Sequence, residues 1–202
     1  MTRTDAAPRM ESSAPVWRAA ATATLLALTL MTSAEAAGET GVTGDYAIRP
    51  VPFTAVTVED AFWSPRLETN RTVTVRYDFQ KCERTGRISN FAKAGGLEPG
   101  DFEGLYGFND SDVFKVIEGA SYALSLQPDP ELERYLDDLA AKIAAAQEDD
   151  GYLYTVGTIE KMADEPACCV SKPRWSDLGS GHELYNLGHF YEAAVAHHQA
   201  TG

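Results

Sequence analysis

Over most of its length the chain spaces its apolar residues in helical rather than strand rhythm. Val113, Ile117, Ala120 and Leu124 recur at steps of four, three and four, which lays them along one side of a helix. Asp110-Ser111 stands ahead of that run as a capping pair. Pro128-Asp129-Pro130 then breaks the chain. Leu132, Leu136, Leu139 and Ile143 repeat the spacing in a second helix, predicted from Glu131 to about Gln147 and closed by Asp149-Asp150-Gly151. Upstream, Pro65 to about Arg84 reads as a helix with Leu67, Val75 and Phe79 on its apolar side, although its threonines and valines are weak helix formers. Ser180 to Gly202 predicts a last amphipathic helix, with Leu184, Leu187, Tyr191 and Ala194 on its apolar face.

Elsewhere the rhythm changes. Tyr46 to Val58 alternates as one or two short strands would, and Pro50 and Pro52 place them at a sheet edge. Such a strand needs a partner, because an isolated one is not stable. Gly151 to Thr155 reads as a short extended piece. Val156 to Gly179 is a loop rich in charge, proline and cysteine, long enough to suggest a functional role. Helix follows helix with no alternation of strand and helix. The predicted class is therefore mainly α, built of antiparallel helical hairpins with a short N-terminal β segment.

The first 36 residues read as a signal peptide. Arg18 precedes the apolar run Ala19 to Met31, and Ala34-Glu35-Ala36 offers small residues for cleavage. That run is too short and alanine-rich for a membrane span, so the expected location is secreted, extracellular or periplasmic. Residues 37–45 form a Gly/Thr-rich flexible lead-in. The formal net charge is −13, and the leader carries as many acidic as basic residues, so the mature chain keeps it. Such a balance argues against nucleic acid or an anionic membrane as partner. Cys82, Cys168 and Cys169 are the three cysteines; an oxidising compartment permits a disulfide but leaves one thiol over.

Candidate chemistry concentrates in the last helix. His182-Glu183 resembles the start of the zinc-protease helix signature, but the second histidine belongs at position 186, where Asn186 stands. His182 and His189 share one side two turns apart, about 10 Å by helical rise, too far to hold a single ion. His182, Tyr185, His189 and Glu192 form a polar stripe that is either a solvated flank or the lining of a sugar site. His182 leads these candidates because it stands at the helix head. His197 and His198 suit the C-terminal end of the helix dipole. Cys168-Cys169 invites a zinc-thiolate reading, yet no further ligand stands at a recognisable spacing. In Tyr106-Gly-Phe-Asn-Asp-Ser-Asp112, capping explains Asp110 and Asp112 as well as a sugar contact does. Trp63, Trp175, Tyr152 and Tyr154 are either a stacking platform or packing residues.

Four blocks in this order resemble the N-terminal part of glycoside hydrolase family 127, the β-L-arabinofuranosidase family. They are Val58 to Arg71, Asp110 to Ser121, Gln147 to Leu153, and Gly181-His-Glu-Leu-Tyr with Gly188-His189 and Glu192 to Ala196. The resemblance runs from about residue 47 to the end. It implies that residues 46–202 are the first part of an (α/α)6-barrel catalytic domain, truncated before the catalytic residues. It also implies a retaining glycosidase of arabinose-containing oligosaccharides or glycans. In this family the nucleophile is a zinc-bound cysteine and the acid/base a glutamate; both are expected beyond Gly202, with zinc a cofactor of the full-length enzyme and no metal ligands within this chain. Cys168-Cys169 precedes the His-Glu-Leu-Tyr block whereas the family's cysteine pair follows it, so the role does not transfer. His182 is the position whose counterpart contacts the sugar; Tyr185 and His189 extend that substrate-binding set. By this reading the chain alone is inactive. Two other readings compete: a non-catalytic helical carbohydrate-binding or interaction module, and a small zinc hydrolase using Cys168, Cys169, His182 and His189.

Overall fold

The computed structural model describes residues 48–159 and 169–202. The signal peptide, the lead-in and Cys168 lie outside the described residues. Residues 48–50 belong to a unit that ends at Pro50 and are exposed, without regular structure; the second unit is Val51–Gly202.

The predicted N-terminal strand is corrected. Within 48–58 the chain makes a 3-10 turn at Phe53–Ala55, closed by Ala55 N–H donating to Pro52 O at 2.9 Å. Pro50 and Pro52 have no N–H to give a ladder, and no strand among the described residues offers them an edge.

The mainly α class holds. Helix α1, Trp63–Thr69, continues through a π-helical segment, Asn70–Thr74, into α2, Val75–Arg84. Asp60 caps α1, its Oδ1 accepting from Phe62 N–H at 2.7 Å and from Trp63 N–H, while its own N–H donates to Ser64 Oγ at 3.0 Å. The widened π turn falls where threonines compete with the backbone: Thr69 Oγ1 donates to Pro65 O at 2.9 Å and Thr72 Oγ1 to Glu68 O at 2.7 Å. Gly86, at φ +75°, then turns the chain into α3, Arg87–Ala94, an element the apolar spacing did not predict. A side chain at Gly86 would collide with Glu103.

Helix α4, Asp110–Leu126, follows a 3-10 turn at Gly107–Asn109, and α5 spans Pro130–Ala146. All four predicted apolar positions of α4 and all four of α5 are buried. They meet Phe79, Ile88 and Phe91 in one core. A short helix, α6 at Thr155–Ile159, opens the stretch expected to be loop. The last helix, α7, spans Glu183–Thr201.

Helix α7 lies along α4 in the same direction. Asn186 faces Ser111 at the two N-termini, and the Phe114 and Phe190 rings meet at 5.3 Å one turn further on. Its predicted apolar face is turned by about a quarter of the helix. Leu184 and Tyr191 are 52% and 57% exposed, whereas Glu183, Asn186, Ala193 and Ala196 are buried. The polar pair takes the inner side where α4 and the loop before α7 supply hydrogen bonds. Asn186 is met by Ser111 N–H and Glu183 Oε1 by Ser171 N–H, while Glu183 Oε2 meets no partner among the described residues.

Candidate functional site

The N-termini of α4 and α7 meet, and three buried polar side chains anchor them: Asn186 joins the two helices, Asp110 holds the start of α6 and Glu183 holds the loop at Ser171. Asn186 accepts from Ser111 N–H at 2.7 Å through Oδ1 and donates through Nδ2 to His182 O at 2.7 Å. It thereby fixes the backbone of His182 to the start of α4. Asp110 does not cap its own helix. Fully buried, it accepts from Thr155 N–H at 2.7 Å and Thr155 Oγ1 at 2.6 Å, holding the start of α6. Burial pushes its carboxyl up to about 6, against the lowering effect of the Thr155 bonds. Asp112 likewise serves no cap but pairs with Arg87 at 2.7 Å. Glu183, 1% exposed, accepts from Ser171 N–H at 3.1 Å through Oε1. Gly181 packs so closely on Glu183 and Ser171 that a Cβ there would sit 2.5 Å from Ser171 Oγ.

Above this base the predicted stripe forms a connected row of rings. His182 and Tyr185 stand edge to face at 5.8 Å, and Tyr185 and His189 at 4.8 Å. His189 Nδ1 meets Glu192 Oε2 at 2.9 Å. Lys115, from α4, donates to Tyr185 OH at 2.7 Å and to Ser111 Oγ at 3.3 Å. With one lone pair of Tyr185 OH occupied by that ammonium, its own O–H is left to donate outward. His182 Nδ1 is buried and meets no hydrogen-bond partner. The same holds of Glu183 Oε2 in the next residue, and such atoms call for a partner.

The row continues through two residues that sequence reasoning did not assign to it. Phe108 lies against His182 at 4.7 Å, and Tyr106 stacks on Phe108 at 5.2 Å. Both come from the loop ahead of α4, more than seventy residues upstream of His182. In the sequence, the motif Tyr106 to Asp112 marks its aspartates as caps and gives its rings no role.

The other candidates do not join them. Tyr154 is buried and donates to Cys169 O at 2.9 Å, and Tyr152 is buried beneath the Arg174 guanidinium at 3.6 Å with Trp175 at its edge. Trp63 packs on Phe62 at 5.0 Å. Tyr152 and Tyr154 are packing residues, whereas Trp63 and Trp175 stay exposed, and the four are not gathered into one platform. Cys169 is in a disulfide, so it offers no thiolate to a metal. Cys82 is a buried free thiol pushed up to about 11 by its burial, which makes it a poor nucleophile. Among the described residues no group of three or more His, Cys, Asp and Glu side chains is placed to share an ion. The described residues therefore do not by themselves fit a zinc site.

Residues 55–202 match the family profile for "Beta-L-arabinofuranosidase, GH127 catalytic domain". The chain belongs to the GH127 β-L-arabinofuranosidase family. Over 115 residues it is 43% identical to a "Non-reducing end beta-L-arabinofuranosidase" of Bifidobacterium longum subsp. longum, a match covering 57% of this chain and 17% of that protein. Among solved structures, a GH127 β-arabinofuranosidase superposes at TM-score 0.70 with 48% identity, covering 78% of this chain and 25% of the other. A GH127 β-L-arabinofuranosidase from Geobacillus stearothermophilus T6 gives 0.66 with 36% identity, covering 73% and 23%. The chain thus spans about a quarter or less of the length of these GH127 relatives. No helix among the described residues is long and apolar enough to cross a membrane.

Proposed function

We propose that this chain supplies part of the sugar-binding wall of a secreted, retaining GH127 glycosidase acting on terminal β-L-arabinofuranosyl residues of arabinose-containing glycans. The observation that carries the reading is the fixed row His182–Tyr185–His189, whose head is tied to α4 by buried Asn186 and whose His182 Nδ1 lacks a partner. A neutral sugar needs such a set: hydrogen-bonding groups held in place beside ring faces. The names of the GH127 relatives supply the sugar class.

Hydrolysis by these residues alone is not part of the proposal. The carboxylates next to the row are Glu183 and Asp110, both buried, and Glu192, which pairs with His189. None is disposed with a second carboxylate for acid/base and nucleophile work. Zinc, in this reading, is held by parts of the enzyme other than the described residues. Secretion rests on the leader pattern in residues 1–36. The alternative, a non-catalytic binding module, predicts the same sugar contacts and differs only in turnover.

The test is titration of the chain with methyl β-L-arabinofuranoside, followed by ligand-observed NMR. Binding is expected in the wild type and a loss of about tenfold or more in His182→Ala, the scale of one to two lost hydrogen bonds. Equal binding by the two proteins would remove His182 from the site.

A further inference from the structure

We infer that Tyr106 and Phe108 form an outer stacking subsite, which holds the second sugar residue of an arabinofuranosyl chain whose terminal residue lies at His182. This deepens the proposed function and rests on it.

The row of rings does not stop at the histidine. Phe108 leans on His182 with 34° between ring planes at 4.7 Å, and Tyr106 lies nearly parallel to Phe108, at 18° and 5.2 Å. One face of Tyr106 is thus covered by Phe108, yet the residue is 53% exposed. A ring stacked on one face and exposed to this extent keeps surface for a ligand. A water-facing aromatic ring that is pinned from behind is an uncommon use of surface, since most exposed aromatic rings gain nothing from order. Here the order is built in.

The loop carrying Tyr106 is anchored at Glu103, whose backbone is gripped on both sides by fully buried Asn90. Asn90 Nδ2 donates to Glu103 O at 2.8 Å, and Glu103 N–H donates to Asn90 Oδ1 at 2.9 Å. Lys93 adds an ion pair to the Glu103 carboxylate. On the other side of Tyr106, buried Asn109 reaches back to Glu103 O at 3.4 Å. The ring is therefore held in place before any ligand arrives, which lowers the ordering cost of binding.

The chemistry of the subsite selects its occupant. Leu105, 88% exposed, flanks Tyr106, so the outer end of the row is apolar and uncharged. A sugar ring presents polarised C–H bonds on one face, which suit the electron-rich face of tyrosine, and hydroxyls at its rim, which stay in water. The inner end, by contrast, carries Lys115, His182 and His189 and suits a residue recognised by hydrogen bonds. A neutral oligosaccharide running from inner to outer end meets both demands.

The experiment titrates the full 202-residue chain with two ligands, methyl β-L-arabinofuranoside and a disaccharide of two β-L-arabinofuranosyl units. Wild type, Tyr106→Ala and Tyr106→Phe are compared, with thermal melting as the control for folding. The wild type is expected to bind the disaccharide more tightly than the methyl glycoside. Tyr106→Ala should weaken the disaccharide by about three- to tenfold, the range expected for one lost stacking contact, and leave the methyl glycoside unchanged. Tyr106→Phe should bind as the wild type does, since the ring face makes the contact. A wild type that binds both ligands equally, an equal loss for both in Tyr106→Ala, or no loss at all would overturn the subsite. If the wild type binds neither sugar, the reading of the His182 site itself has failed, and the subsite falls with it. Binding of both ligands with no response to Tyr106 would sink the subsite alone.

Discussion

At the residue scale, the buried carboxyl of Asp110 carries a pH dependence of its own. Its ordinary value of 3.8 is raised to about 6 in the folded chain because the side chain is fully buried. Between those two values the folded protein holds a proton that the unfolded chain has released. Stability from this group is therefore complete below about pH 4, falls as pH rises through the window, and is flat above it. A shift of that size corresponds to about 3 kcal/mol at most. Asp129, Asp177 and Glu103 are shifted the other way, by bonds to backbone N–H groups or to Lys93, so the whole-protein profile mixes both signs. The difference between wild type and Asp110→Asn isolates the effect. Asparagine keeps an acceptor for Thr155 N–H and adds a donor for Thr155 Oγ1. In urea unfolding the variant should gain on the wild type as pH rises from about 4 to about 6.5; a constant difference would show that Asp110 ionises normally. The sequence pointed to capping here because Asp-Ser before a helix is a cap in most local contexts. Its true partner, Thr155, is 45 positions away, and nothing local announces that.

Among elements, α5 follows its sequence most closely. Asp129 accepts from Glu131 N–H at 3.2 Å and Leu132 N–H at 3.1 Å, Pro130 takes the first helical position, and Arg76 of α2 pairs with the same carboxylate at 2.9 Å. Asp129→Ala should cost about 1–2 kcal/mol, mostly through the lost cap, with the exposed Arg76 contributing little. Arg76→Ala should therefore cost well under half as much in the same unfolding assay; equal losses would place the energy in the ion pair instead. Helix α7 shows the opposite case. Its leucines and tyrosine gave a clear apolar stripe, yet Leu184 and Tyr191 are exposed, Leu187 is only partly buried, and the side bearing Glu183 and Asn186 is inward. Periodicity ranks faces by hydrophobicity alone. It cannot register that the Ser111 and Ser171 N–H groups stand ready for a buried amide oxygen and one oxygen of a buried carboxylate. Helix α3 was passed over because it is only eight residues long and follows α2 after two residues, which leaves little room for a period to declare itself.

For the whole molecule, α4 is the hub, packed by α2, α3, α5 and α7. Phe114, 1% exposed, touches Phe91 of α3 at 5.6 Å and Phe190 of α7 at 5.3 Å, so one side chain joins three helices. Phe114→Ala should destabilise by about 3–5 kcal/mol, a large part of the margin of a domain this size. Chemical denaturation would show a lower midpoint. A loss under about 1 kcal/mol would mean that α7 is held by its polar N-terminal contacts rather than by this core. The same packing puts Tyr106 and Phe108 in line with His182, so hub and candidate site depend on one another.

The order of its residues alone made this chain mainly helical, set the extents of α4 and α5 with their buried faces, and carried the four blocks that mark a GH127 member. Those features are local or are shared along aligned sequence, and neither requires knowing what lies opposite. Which side of α7 turns inward, where Asp110 spends its hydrogen bonds, and that a loop of rings meets a helix more than seventy residues later were decided by tertiary structure. Each depends on a partner distant in sequence, and the free energy of burying a polar group is set by that partner rather than by the residue itself.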